Sequence, residues 1–262
     1  MTDSVKPKKF LGQHFLKDLD IARRIADTVG DYKDIPILEI GPGMGVLTQY
    51  LIQNNHDLTV VELDSESVRY LNEHFPQLEG RIFEQDFLKL NLTNLFTGKF
   101  CVIGNYPYNI SSQIFFKVLD YKNQIPCCSG MIQKEVAERI ASKPGCKAYG
   151  ILSVLMQAWY DIEYLFTVPE HVFNPPPKVK SAVIKMTRNK TEQLGCNEKL
   201  FKTIVKTGFN QRRKTLRNSL RQLLGKKCEL LEDAVFDKRP EQLSVKQFID
   251  LTNQIEKFIP QP

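Results

Sequence analysis

The residues Asn105-Tyr106-Pro107-Tyr108 close an apolar run that starts at Ile103, and their types suit the handling of a flat aromatic amine. The exocyclic nitrogen of a nucleobase is a poor nucleophile because its lone pair is delocalised into the ring. Acceptors that hold its hydrogens draw it toward a tetrahedral geometry. The side-chain oxygen of Asn105 can be one acceptor. The carbonyl of Tyr106 can be another, because Pro107 restricts the preceding residue to extended backbone and so aims that carbonyl. Tyr108 can then stack on a base drawn from its helix, so the chemistry such a set suits is methylation of an adenine amino group. Taken alone, the tetrapeptide also reads as an ordinary Asn-x-Pro turn at a strand end.

Upstream, Pro36-Ile37-Leu38-Glu39-Ile40 runs into Gly41-Pro42-Gly43-Met44-Gly45-Val46-Leu47, and Val60-Val61-Glu62-Leu63-Asp64 makes a second apolar strand ending in acid. The order is strand, glycine turn, helix, strand. Gly41 and Gly43 let the backbone approach a ligand, and Glu62, about twenty residues on, is placed for ribose hydroxyls. Val46 stands where a dinucleotide-binding turn has its third glycine, which disfavours nicotinamide and flavin cofactors. S-adenosylmethionine, with no pyrophosphate to seat, fits better. A third strand, Arg81-Ile82-Phe83-Glu84, delivers Asp86 beside Phe87, where its carboxylate can accept from the cofactor's adenine amine. A solvated turn carboxylate is the alternative for Asp86.

With these elements in this order, the chain resembles the ribosomal RNA adenine dimethylase family, most closely the bacterial members that dimethylate two adjacent adenosines near the end of small-subunit ribosomal RNA. Further segments carry the resemblance: Lys9-Phe10-Leu11-Gly12-Gln13-His14-Phe15-Leu16, Gln133-Lys134-Glu135, Phe173-Asn174-Pro175-Pro176-Pro177-Lys178-Val179-Lys180-Ser181-Ala182-Val183 and Phe209-Asn210-Gln211-Arg212-Arg213-Lys214-Thr215-Leu216. The resemblance implies cofactor contacts from His14, Leu16, Gly41, Glu62, Asp86 and Asn105. The family usually has Asn in place of His14 and Leu in place of Tyr106. A partly exposed loop histidine is the plainer reading of His14.

The elements that must position these residues follow from the pattern. Strands alternate with helices to about residue 141, as a doubly wound, mostly parallel sheet requires, and the resemblance implies the seven-stranded, Rossmann-like methyltransferase form of that α/β fold. Tyr149–Tyr160 is apolar at helical spacing and reads as core. Two more strands, Tyr164–Val168 and Ala182–Met186, are joined through a stiff proline-rich loop at 173–177. That loop can hold Phe173 against a base, or Phe173 can simply plug the sheet edge. Beyond a polar stretch the pattern is helical over Glu198–Thr207, Leu216–Leu224, Glu229–Val235 and Ser244–Phe258. The expected division is a methyltransferase domain over 1–189 and a helical RNA-binding domain over 190–262.

Charge distribution says more than the net +6. From Gly208 to Lys227 the chain has Arg212, Arg213, Lys214, Arg217, Arg221, Lys226 and Lys227 with no acid. On a continuous helix Arg213, Arg217 and Arg221 would share a face, backed by Leu216, Leu220, Leu223 and Leu224. Beside a base-modifying site this reads as a phosphate-binding ridge, extended by Lys6, Lys8 and Lys9; a solvated charged face is the bland alternative.

An apolar share of 42% and a charged share of 25% fit a globular protein, with no apolar run approaching the roughly eighteen residues of a membrane span. The basic start Met1–Lys9 is not followed by an apolar segment, so no secretory signal is expected and the cytoplasm is. Cys101, Cys127, Cys128, Cys146, Cys196 and Cys228 show no C-x-x-C spacing, so reduced packing thiols and no metal are expected. The expected partner is small-subunit ribosomal RNA, bound by a monomer. Two competing readings are a DNA adenine methyltransferase, which would need a target-recognition domain, and a ribosome assembly or transcription factor that keeps the fold without turnover.

Overall fold

A computed structural model describes residues 5–225 and 228–259. Lys226 and Lys227 of the basic run lie outside the described residues, as does the side chain of Lys9. The chain forms two compact units, one of residues 1–137 and 161–188, the other of residues 138–160 and 189–262. It therefore enters the second unit twice. The boundary expected near residue 190 coincides with the second entry, while the apolar helix before Tyr160 groups with the helical unit.

In chain order the first unit contains β1 (Phe15–Leu16), α1 (Leu19–Asp27), β2 (Ile37–Ile40), α2 (Thr48–Gln53), β3 (Leu58–Glu62), α3 (Ser65–His74), β4 (Ile82–Glu84), β5 (Cys101–Asn105), α4 (Ser111–Asp120) and β6 (Cys127–Gln133). Then α5 (Lys134–Ala141) passes into the second unit, which holds α6 (Ile151–Gln157). The chain returns through β7 (Tyr160–Val168), β8 (Phe173–Asn174) and β9 (Ser181–Arg188). The main sheet has seven strands in the order β4-β3-β2-β5-β6-β9-β7, parallel from β4 to β6, with β9 antiparallel to β6.

The central strands β2 and β5 are apolar at successive positions rather than alternately, and Ile37, Leu38, Cys101, Val102 and Ile103 are fully buried. Burial on both faces is what a parallel sheet wrapped by helices demands. The amphipathic α1 turns Ile21, Ala22, Ile25 and Ala26 inward, and Asp18 starts it by accepting from the Ile21 N–H at 3.0 Å, a cap worth about 1 kcal/mol. The strand order reverses at β2, with β3 on one side and β5 on the other, so the loops after these strands diverge and open a crevice at their carboxyl ends.

The second unit continues with α7 (Glu198–Asn210), α8 (Leu216–Ser219), α9 (Arg221–Leu224) and α10 (Val245–Glu256). Its core joins Phe201, Ile204, Val205 and Phe209 of α7 to Phe248, Leu251 and Ile255 of α10. A capping box between Ser244 and Gln247 starts α10. Two helical expectations need correction. Leu216–Leu224 is not one helix: α7 stops at Asn210, residues 211–215 form a turn, and the chain breaks again at Leu220. Residues 229–237 form two short 3-10 turns, separated at Asp233, whose side chain accepts from the Val235 N–H and starts the second.

Candidate active site

The carboxyl ends of β2, β3 and β5 border a cavity of about 290 Å³, lined from the sheet by Gly41, Gly43, Glu62, Asp86, Asn105 and Tyr108 and from the N-terminal arm by residues 10–15. Gly43 has φ +57°, and a Cβ there would lie 2.8 Å from the Phe15 ring, so only glycine fits. The Gly43 N–H donates to Glu62 Oε2 at 3.0 Å. Glu62 Oε1 accepts from the N–H groups of Leu63 and Asp64 at 2.8 and 2.9 Å. Burial raises the Glu62 pKa, and these backbone bonds act against that rise. The carboxyl is thus fixed in direction, and Oε2, with one bond made, retains acceptor capacity at the cavity.

Beneath the glycine turn lies Glu39, 1% exposed and bonded by the Thr48 hydroxyl at 2.7 Å. Burial pushes its pKa up to about 8, with Glu62 adding a smaller push, so it is a neutral acid at pH 7. At the far wall, Asp86 caps its own loop, accepting from the Leu88 N–H at 2.9 Å.

Asn105, the last residue of β5, donates from Nδ2 to the carbonyl of His14 at 3.0 Å. This sets which way the amide points and leaves Oδ1 as its acceptor end. The Tyr106 side chain is buried in the sheet, where its hydroxyl donates to the Ser129 carbonyl at 2.7 Å and lies 3.3 Å from Cys128 Sγ. Its ring sits where a side chain at Gly130 would have to be, a Cβ there meeting the ring at 2.7 Å. With the side chain inward, the Tyr106 carbonyl oxygen carries no hydrogen bond among the described residues. Tyr108 lines the cavity, hydrogen-bonds Ser181 Oγ through its hydroxyl, and stacks on His14 with centroids 5.4 Å apart. His14 Nδ1 in turn lies 2.8 Å from the Pro175 carbonyl; since a carbonyl only accepts, Nδ1 carries the proton.

Other expected site residues are placed differently. Phe173 is 1% exposed, packed in the apolar core and paired with Leu16 across β1 and β8, so it plugs the sheet rather than facing the cavity. An aromatic of this size gains about 1.5 to 3 kcal/mol from burial, which outweighs leaving it in a wet pocket. Leu16 is core as well and borders a small void of about 30 Å³ beside Gly41, Gly43 and Asn105. Lys8 is not a free cation: its ammonium pairs with Asp64 and with Glu66 at 3.2 Å, which raises its pKa. Gln13 reinforces this tie, donating to Asp64 Oδ2 at 3.3 Å and accepting from the Lys8 N–H at 2.8 Å. The arm is therefore fastened beside the cavity through Asp64, a role that the acid ending the Glu62 strand could have signalled.

The broken helix also dissolves the expected three-arginine ridge. Arg213 lies in the turn before α8, Arg217 pairs with Asp237 at 2.6 Å, and Arg221 opens α9. Arg212 donates to the Cys146 carbonyl at 3.4 Å. Arg213, Lys214 and Arg221 are exposed.

A family model described as Ribosomal RNA adenine dimethylase matches residues 4–257. The chain belongs to this family. Ribosomal RNA small subunit methyltransferase A of Parabacteroides distasonis is 74% identical over 255 residues, covering 97% of this chain and 96% of the relative. A dimethyladenosine transferase from Plasmodium falciparum superposes with a TM-score of 0.75 at 25% identity, covering 93% of this chain and 98% of the other. The 23S rRNA methyltransferase ErmE gives 0.67 at 25% identity, covering 92% and 100%. The family is one of S-adenosylmethionine-dependent methyltransferases. The cavity fits that cofactor: the close glycine turn, the oriented Glu62 and the Asp86 loop are arranged along one pocket. Among the described residues no helix is long and apolar enough to cross a membrane.

Proposed function

We propose that this chain dimethylates the exocyclic amines of two adjacent adenosines near the end of small-subunit ribosomal RNA, acting as a cytoplasmic monomer during subunit biogenesis. The observation that carries the reading is the Asn105 amide, turned by the His14 carbonyl so that Oδ1 is its acceptor end, next to an unoccupied Tyr106 carbonyl.

S-adenosylmethionine supplies an electrophilic methyl group on a sulfonium. Gly41, Gly43, Glu62 and Asp86 hold the cofactor, with Glu62 on ribose hydroxyls and Asp86 on the adenine amine. Asn105 Oδ1 and the Tyr106 carbonyl accept the two hydrogens of the target amine and orient its lone pair, and Tyr108 stacks on the flipped ring. For Tyr108 to do so the base must enter beside or in place of the His14 ring. No strong base is required before attack, because the nitrogen becomes acidic only as its bond to carbon forms. In the helical unit, Arg213, Lys214 and Arg221 take phosphates.

The test is methyl transfer from labelled cofactor to small subunits lacking the modification, to mature subunits and to duplex DNA. Label confined to the first, in N6,N6-dimethyladenosine, is expected. Transfer to DNA would favour a DNA adenine methyltransferase, and transfer to none would favour an assembly factor without turnover.

A further inference from the structure

The loop after β4 leaves its regular hydrogen bonding just where Asp86 faces the cavity, and its carbonyls need donors. Three of them converge on one side chain. Lys117 Nζ donates to the Phe87 carbonyl at 2.5 Å, to the Leu88 carbonyl at 3.1 Å and to the Leu90 carbonyl. The ammonium also sits 4.9 Å from the centroid of the Phe87 ring. An ammonium has three donors and no acceptor, so these contacts use its full capacity. Burial lowers the Lys117 pKa, while Asp86 and Asp120 act the other way.

Lys117 stands in the last turn of α4, and the first turn of that helix follows directly on Tyr108-Asn109-Ile110. One helix thus joins the turn that holds the base to the loop that faces the cofactor. We propose that Lys117 is a positioning residue: it gathers the Phe87, Leu88 and Leu90 carbonyls so that the Asp86 loop keeps the shape that receives the cofactor's adenine. Without the ammonium, the Phe87 carbonyl keeps only the Leu90 N–H at 3.3 Å, and the Leu88 and Leu90 carbonyls turn to water in the cleft that they line beside Lys117, so the loop loses the single group that draws its carbonyls together. The inference rests on the reading of the cavity as the cofactor site.

Calorimetric binding of S-adenosylhomocysteine and of its inosine counterpart, which has an oxygen in place of the adenine amine, decides the matter without turnover. The wild type should prefer the adenosyl ligand by about tenfold or more, the usual worth of a hydrogen bond to a charged acceptor. Lys117→Met keeps the aliphatic stem and helix propensity. It should weaken adenosyl binding about tenfold and bring the preference close to one, with thermal stability of the apoprotein checked in parallel. Lys117→Arg, which restores donors, should recover part of the preference. A Lys117→Met protein with wild-type affinity and preference would overturn the clamp. If Lys117→Met does not fold, a Lys117→Leu protein, which likewise brings no donor, overturns it equally by keeping the full preference. Asp86→Ala serves as the separate control. If it retains the preference, the adenine assignment of Asp86 fails, whereas the Lys117 variants still decide the clamp.

Discussion

The Nδ2 atom of Asn105 lies 3.0 Å from the carbonyl oxygen of His14, 91 residues earlier in the chain. A backbone carbonyl can only accept, so this one contact takes up the amide nitrogen and leaves the amide oxygen as the acceptor end that the proposed chemistry needs. In the proposed chemistry the N-terminal arm thus acts on the base through the backbone carbonyl at position 14, besides the His14 ring that stacks on Tyr108.

Asn105→Ala should lower kcat about 100-fold, the scale of losing one positioning contact, with RNA affinity nearly unchanged. Asn105→Asp should fare no better, because a carboxylate would oppose the His14 carbonyl. Single-turnover methylation at saturating cofactor measures both, and a fully active Asn105→Ala enzyme would remove this residue from the mechanism.

Glu62→Ala should weaken cofactor binding by about 1 to 3 kcal/mol, since the ribose hydroxyls lose their acceptor and the Gly43 N–H loses its tie. Calorimetry with S-adenosylhomocysteine reads this directly. Unchanged affinity would place the ribose elsewhere.

The buried acid Glu39 makes stability depend on pH. Its folded-state pKa of about 8 lies above its ordinary value of 4.5, so the folded state binds the extra proton between these limits. Its contribution is complete below the lower value and is lost as pH rises through the upper one. Glu39→Gln should be neutral at pH 5 and stabilising at pH 8.5 by at least about 1 kcal/mol, or about 2 to 4 °C in Tm. Thermal melts of both proteins at the two pH values settle it; equal differences at both would mean that Glu39 is ionised throughout.

In the helical unit, the Tyr149 hydroxyl is buried and finds no hydrogen-bond partner among the described residues. Burial pushes its pKa up to about 12. Tyr149→Phe removes the stranded polar atom and keeps the ring against Phe209, 6.2 Å away, so it should stabilise by about 1 kcal/mol. A lower Tm would show that the hydroxyl has a partner in solution.

Replacing Arg213, Lys214 and Arg221 together by Gln should flatten the plot of log affinity for the small subunit against log salt by about two to three units. Arg217→Gln alone should change the slope by less than about half a unit, because Arg217 is already paired with Asp237. Binding at several salt concentrations tests both. A triple variant with the wild-type slope would mark these residues as a solvated surface.

Much of this was legible along the chain because it is local. The glycine turn, the acid ending β3 and Asn105-Tyr106-Pro107-Tyr108 each depend on neighbours a few residues away, and the alternation of strands and helices brings them to one end of a parallel sheet. The Tyr106 carbonyl as an acceptor follows from the proline after it, whereas the burial of its ring against Ser129 came from the fold. What only tertiary structure decided concerns side chains whose partners lie far off in sequence. Phe173 was drawn into the core by β1, Lys8 was claimed by Asp64, and Arg217 by Asp237. Lys117 carries no mark along the chain, and only the fold brings three carbonyls from residues 87–90 to it. The helix expected through Leu216–Leu224 failed for the same reason: the Leu216 N–H bonds to the Lys238 carbonyl, and Leu216 and Leu220 are buried in the core of the unit, so packing overrode the spacing of the arginines. Residue spacing determines which groups can share a face, whereas the partner that finally takes each charge or ring is fixed by the fold.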